Sequence, residues 1–356
     1  MIVLHVINTL IRAGAELFVF RIAKEQVSRG YSVYVLILEH ADEELILELQ
    51  IAGVYVIEKN FYHRSLKPLY CINKIAKKYN VNIIHSHLGP AQYLVAISSV
   101  FNFRSPILIT TEHSTYNNRR KWRILQPFEF FIYKKYNKIV SISEAVQKNL
   151  LDWIPYLNHK SLVIHNSIDL KEIRESKKID LEKIYNIQRP IALCVGRLSY
   201  EKGHDILLRA ASISNKFSLL IIGSGPELSN LNNLKVQLNL SDRVVIASNS
   251  SNVPSLMKGC DVYVQPSRWE GFGLAALEAL ACNTKVVVSN IQGLSDILDG
   301  HAISFLTEDP QSLSNAINLS IESKHFPPDL KWFENFSHDR LFKDYDELYR
   351  NSLSGL

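Results

Sequence analysis

The chain is poor in cysteine. Cys71, Cys194, Cys260 and Cys282 are scattered with no C-x-x-C spacing. This argues against a disulfide framework or a cysteine zinc site and fits a reducing compartment. The 14 glycines and 12 prolines are too few for a low-complexity or fibrous chain. No uninterrupted apolar run reaches the roughly 18 residues of a membrane-spanning helix. The opening residues, MIVLHVINTLIR, lack a basic segment, and their apolar run is broken at His5 and Asn8. They read as a first strand and not as a signal peptide. The expected location is cytoplasmic, with any membrane contact peripheral.

What is present is enough for two cores. The 356 residues are 47% hydrophobic and 21% charged, which suits two domains of about 150–180 residues each. The net charge of +5 is uneven. Residues 1–169 carry 20 Lys/Arg against 13 Asp/Glu, and the rest carry 20 against 22. A basic first half points to an anionic partner there: a membrane surface, nucleic acid or a phosphorylated acceptor.

Short apolar runs alternate with helical periodicity. Residues 2–7, 31–38, 83–87, 107–112 and 138–143 read as strands, with helices at 15–29 and 43–51. The pattern restarts at Pro190, with strands at 191–195, 219–222, 244–246, 261–264 and 285–288 and a helix at 203–213. This is α/β architecture: two doubly wound parallel sheets. The expected layout is a first domain over 1–170, a polar linker over 171–188, a second domain over 189–335 and a C-terminal helix within 336–356 that packs back on the first domain. Two such domains facing one another make a cleft lined by strand ends, where ligands bind.

Three motifs follow strands. The densest is Gln265-Pro-Ser-Arg-Trp-Glu-Gly-Phe-Gly-Leu-Ala-Ala-Leu-Glu278. A glycine-rich turn entering a helix can aim backbone N–H groups at a phosphate. Glu270 in the turn can accept from sugar hydroxyls, and Glu278, a turn into the helix, can hold the hydroxyls of a ribose. Taken alone, the pattern also fits an ordinary strand–turn–helix corner. The second motif, Val195-Gly-Arg-Leu-Ser-Tyr-Glu-Lys-Gly203, puts the cations Arg197 and Lys202 on one loop. A diphosphate leaving group needs such cations, although a solvated basic loop has the same sequence. The third, Asn8-Thr-Leu-Ile-Arg-Ala-Gly-Ala-Glu16, is not G-x-G-x-x-G, so a dinucleotide fingerprint is absent. His85 and His87, two apart on a strand, are read as facing alternate sides, and no metal is expected.

In this order and spacing the motifs resemble a retaining glycosyltransferase of family 4, with the two-domain GT-B fold. The resemblance spans nearly the whole chain. It rests on Gly14-Ala15-Glu16, Thr111-Glu112-His113, Val140-Ser141-Ile142-Ser143-Glu144, Ile164-His165-Asn166-Ser167-Ile168-Asp169, Val195-Gly196-Arg197, Glu201-Lys202-Gly203, Gly223-Ser224-Gly225-Pro226-Glu227 and the Glu270/Glu278 pair. Three positions depart from the pattern: Ala13-Gly14 for paired glycines, Asn166-Ser167 for Asn-Gly, and Asp296 for a glutamate.

The resemblance implies that Arg197 and Lys202 hold the diphosphate of a nucleotide sugar in place of a divalent metal, so neither metal nor cofactor is expected. Gly196, Gly225, Phe272, Gly273 and Leu274 would line the sugar-donor site. Glu270 would meet the transferred sugar and Glu278 the ribose. His113 would lie near the reacting sugar, and Gly14 and Ala15 would close over the diphosphate. The expected reaction moves a hexose or N-acetylhexosamine, from a UDP-sugar by family frequency, to a lipid-linked or glycan acceptor in surface-polysaccharide synthesis. Two other readings stay open: a nucleotide-sugar 2-epimerase on the same fold, and a non-catalytic nucleotide-sugar binder.

The acceptor is expected on the first domain. Segment 59–79 holds Lys59, Arg64, Lys67, Lys74, Lys77 and Lys78 with no acid. Segment 113–138 holds Arg119, Arg120, Lys121, Arg123, Lys134, Lys135 and Lys138 against Glu129, interleaved with Trp122 and other aromatics. Basic and aromatic content together suit an anionic membrane interface; a core-packed helix with a solvated basic face is the alternative. No nucleic-acid recognition motif is present, so a nucleic-acid partner is not expected.

Overall fold

The structure is a computed structural model that describes residues 1–59, 61, 67–101, 106–248, 252–298, 300–324 and 327–355. Arg64, one of the expected acceptor-side cations, lies outside the described residues. The chain divides into two compact units: Met1–Asn166 with Asp339–Leu356, and Ser167–His338.

The first unit holds a seven-stranded parallel sheet. Its strands are β1 (Ile2–Ile7), β2 (Ser32–Ile37), β3 (Tyr55–Glu58), β4 (Ile83–His87), β5 (Ile107–Glu112), β6 (Lys138–Ser141) and β7 (Ser161–Val163). They run in the order β3-β2-β1-β4-β5-β6-β7. The order reverses between β1 and β4, which is where such sheets bind ligands. Side chains alternate along each strand. Val3 and Ile7, with Ile83, Ile107 and Ile109, face the helices Gly14–Ser28 and His338–Ser354. Leu4, Val6, Ile84 and Leu108 face the helices Lys67–Lys78, Gly89–Ser98 and Gln126–Lys134.

The second unit holds six parallel strands: β8 (Ile191–Val195), β9 (Ser218–Ile222), β10 (Val244–Ala247), β11 (Val262–Gln265), β12 (Lys285–Ser289) and β13 (Ile303–Phe305). Their order, β10-β9-β8-β11-β12-β13, reverses between β8 and β11.

The stretch 171–188 is not a free linker. It forms the helices Leu170–Glu175 and Leu181–Tyr185 within the second unit. Ile173 and Leu181 are buried. Lys258 Nζ donates to the Ile173 carbonyl at 2.5 Å and to the Ser176 carbonyl at 2.7 Å. The polar residues that suggest a linker are the solvent faces of two short helices. The terminal helix His338–Ser354 buries Leu341, Phe342, Tyr345, Leu348 and Tyr349 against the first sheet.

Candidate functional site

In the second unit the site residues sit on loops that leave the C-terminal ends of β8, β9, β11 and β12. Lys202 comes from the loop after β8 and Glu270 from the loop after β11. Lys202 Nζ donates to Glu270 Oε2 at 2.7 Å. Burial works against the lysine's charge, but the Glu270 carboxylate more than offsets it and holds the ammonium above its ordinary range.

Gln265, the last residue of β11, supports both partners of this turn. Its Nε2 donates to Glu270 Oε2 at 2.8 Å, and its Oε1 accepts from Ala276 N at 3.1 Å. It thereby caps the helix Leu274–Ala281, whose own N-cap, Gly273, has no side chain to do so. Glu278 is half-buried just over a turn into that helix.

Two glycines let the loops meet. Gly203 has φ +65°, and a Cβ there would stand 2.0 Å from the Pro266 carbonyl oxygen. Gly293 has φ +89°, and its Cβ would fall 2.4 Å from the Glu270 carbonyl oxygen. Any larger residue would push the lysine loop or the glutamate loop away.

Arg268 fastens the same loops from the other side. Its Nη1 and Nη2 each donate to Asp205 at 2.8 Å, Nη1 also donates to the Tyr200 carbonyl at 2.7 Å, and Nε pairs with Glu308. Its backbone N–H donates to the Glu201 carbonyl at 2.8 Å. Gly196 and Leu198 are tied by backbone hydrogen bonds to Ile222, the last residue of β9, and to Ser224 of the loop after it, and Gly225 packs against Leu198. Arg197 is exposed beside them. Phe272 is buried, with its ring edge-on to Phe336 at 5.9 Å.

In the first unit, Gly14 and Ala15 open the helix Gly14–Ser28, and a Cβ at Gly14 would meet nothing within 4 Å. Glu16 in the same turn is buried and accepts from Thr9 Oγ1 at 3.0 Å. His113 follows β5. Burial lowers it to about 3; Phe18 lies edge-on to its ring at 5.4 Å.

His85 and His87 do not face alternate sides. Residues two apart on a strand share a face, and their ring centroids are 4.1 Å apart. His5 of β1 pairs in register with His85 and joins them. The three rings bring ligand nitrogens within 4.8 Å of one another. Each already has protein partners: His5 binds His87 and Gln26, His85 binds Tyr349 and Thr111, and His87 also approaches His113.

The basic segment splits in two. Arg120 is largely buried, 3.5 Å from Glu112, and donates to Asn149 at 2.5 Å. Glu112 also accepts from Gln92 at 2.6 Å and Tyr133 at 2.8 Å. Arg119 reaches the fully buried Glu129 at 3.3 Å and lies over the Tyr93 ring. These two arginines therefore point to internal carboxylates and not to a membrane. Lys121, Trp122 and Arg123 are exposed, and Ile124, Phe128 and Phe131 extend the exposed patch.

Two family models match. "Glycosyltransferase Family 4" covers residues 12–172, and "Glycosyl transferases group 1" covers 177–335. The chain belongs to the family 4 glycosyltransferases. Among relatives of this glycosyltransferase, the O-antigen biosynthesis glycosyltransferase WclY of Escherichia coli is 22% identical over 98% of this chain and 97% of its own. The N,N'-diacetylbacillosaminyl-diphospho-undecaprenol alpha-1,3-N-acetylgalactosaminyltransferase of Campylobacter jejuni is 26% identical over 97% and 99%. Among solved structures, Anabaena Alr3699/HepE in complex with UDP has a TM-score of 0.84 at 19% identity and covers 100% of both chains. That likeness establishes the GT-B fold.

For this glycosyltransferase the structure joins Lys202 to Glu270 and leaves Arg197 exposed beside the same loop group. Sequence reasoning gave no role to Gln265 and Arg268, passed over His5, and read His85 and His87 as facing apart. Gln265 and Arg268 lie inside the quoted motif, and their polar side chains at a strand end were the available signal. Arg268's side-chain partners, Tyr200, Asp205 and Glu308, lie far along the chain, and Gln265 reaches Glu270 and Ala276 only once the turn has folded, so their roles were not readable.

Proposed function

We propose that this glycosyltransferase moves a hexose or N-acetylhexosamine from a nucleoside-diphosphate sugar, a UDP-sugar, to a lipid-linked acceptor in surface-polysaccharide synthesis, with retention at the anomeric carbon. The observation that carries this reading is the Lys202–Glu270 contact on loops that glycines and Arg268 hold together. It sets a cation for a departing diphosphate beside a carboxylate for sugar hydroxyls. Arg197 on the same loop supplies a second cation, Glu278 holds the ribose, and the backbone of Gly196, Gly225, Phe272, Gly273 and Leu274 lines the diphosphate and sugar. These cations stand where other glycosyltransferases use a divalent metal, so turnover is metal-independent.

The transition state resembles an oxocarbenium ion. The C–O bond to the diphosphate breaks while the acceptor oxygen bonds on the same face, and its proton passes to the leaving phosphate oxygen. By the family resemblance, His113 serves the reacting sugar, and Gly14 and Ala15 serve the diphosphate. The UDP complex of a same-fold protein and the O-antigen and diphospho-undecaprenol names of the relatives support the choice of donor and acceptor. The exposed Lys121, Trp122 and Arg123 face an anionic membrane surface. The test is turnover of UDP-sugars with an undecaprenyl-diphosphate-linked acceptor in the presence of a chelator. Lys202→Ala and Glu270→Ala should both lose most of the rate; near-normal rates for both would sink the assignment.

A further inference from the structure

The histidines behind His113 have no part in the reaction above, yet they form a continuous line. His5, His85 and His87 are fully buried. Burial pushes His5 down to about 4 and holds His85 and His87 well below the ordinary range. Each is therefore a neutral imidazole with one N–H and one lone pair.

The line can be followed atom by atom. Gln26 Oε1 lies 2.8 Å from His5 Nε2. With the Gln26 amide in this orientation, which leaves its own buried Nε2 without a hydrogen-bond partner, the oxygen can only accept, so His5 carries its proton on Nε2 and offers a lone pair at Nδ1. His5 Nδ1 lies 3.1 Å from His87 Nε2, so His87 donates there and keeps its lone pair at Nδ1. That lone pair faces His113 Nε2 at 3.5 Å, the longest link. His113 then bears its proton on Nε2, and its Nδ1 keeps a lone pair. The His85 ring beside this line is held from the C-terminal helix: Tyr349 hydroxyl meets His85 Nδ1 at 2.6 Å, and Tyr345 hydroxyl meets Thr111 at 3.1 Å, which in turn meets His85 Nε2 at 2.7 Å.

We propose that His87 and His5, anchored by Gln26, are positioning residues that fix which ring nitrogen of His113 carries the proton. Imidazole orientation and tautomer are commonly set by the hydrogen bond at the far nitrogen. Here that control passes through two further rings and ends on one amide. Its value for catalysis rests on the placement of His113 near the reacting sugar; its effect on the tautomer does not.

The test is long-range 1H–15N NMR of His113 in the full-length protein, alongside kcat and KM. The expected result is a single Nε2–H tautomer in the wild type. His87→Phe keeps the volume and removes the link; it should give a tautomer mixture and about a tenfold lower kcat with the sugar-donor KM unchanged. His87→Gln, which can still donate and accept, should restore most of both. Should His87→Phe fold poorly, Gln26→Leu breaks the line at its far end with the same expected mixture. An Nδ1–H tautomer in the wild type, or an unchanged single tautomer in the folded variants, overturns the line. A normally active His113→Ala would instead overturn its placement at the reacting sugar and leave the nitrogen shifts to decide the line.

Discussion

Lys202 Nζ stands 2.7 Å from Glu270 Oε2, across 68 residues of sequence. Each side chain makes its partner's position useful, so their losses should not add. Lys202→Ala and Glu270→Ala are each expected to lower kcat/KM by on the order of 100-fold or more. The double variant should be little worse than the more damaging single one. Steady-state kinetics on one donor–acceptor pair measures both points, and fully multiplicative losses would show that the two act apart.

Gly203 meets Pro266 where no side chain fits. Gly203→Ala is expected to cost roughly 2 kcal/mol or more from the positive φ and the collision together. Activity should fall further than stability, because the lysine loop is what must move. Thermal unfolding and kcat/KM on the same preparation check this; an unchanged pair of values would mean that the loops are not packed as described.

Arg268 is largely buried and binds Asp205 through two nitrogens. Lysine cannot reproduce that fork. Arg268→Lys should destabilise the second unit by about 2 kcal/mol and lower kcat about tenfold by loosening the Lys202 loop. A variant with wild-type kinetics would show that Arg268 is not a support for the site.

His5 gives the fold a pH dependence. Its value falls from 6.5 in the open chain to about 4 when folded. The unfolded chain therefore binds the extra proton between those limits, and stability rises with pH across them. The neutral imidazole's full contribution is present above about pH 6.5 and is lost as pH falls toward about 4, to the extent of roughly 3 kcal/mol. His5→Asn should lessen the fall in melting temperature over that window, the remainder coming from the other buried histidines. An equal slope in both proteins would exclude His5 as its source.

The basic segment separates into structural and surface cations. Arg120→Ala should destabilise the first unit, because it leaves Glu112 without its cation. Its effect on binding to anionic vesicles should be small. Lys121→Glu with Trp122→Ala and Arg123→Glu should leave the melting temperature within a degree or two and abolish co-sedimentation at low salt. Equal binding by that triple variant would remove the membrane contact from this patch.

Alternating apolar runs and helical periodicity determined the two parallel sheets on their own. A buried parallel strand such as Ile191–Val195 must be continuously apolar, and that is visible one residue at a time. Strand β3 was not legible, because its edge position leaves Tyr55 and Glu58 exposed and removes the apolar signal. The motifs also placed Lys202 and Glu270 on loops that follow strands and Glu278 a turn into the next helix, since a glycine-bearing turn beside charged residues is a local pattern. Tertiary structure alone decided the partners. Nothing local tells that Arg119 and Arg120 turn inward to Glu129 and Glu112 while Lys121 and Arg123 stay in solvent. Nothing local tells that His5 meets His87, or that a helix beginning at His338 brings Tyr349 onto His85. Periodicity reports burial along one strand or helix. Hydrogen-bond partners depend on strand order, and strand order is fixed only when the whole sheet has formed.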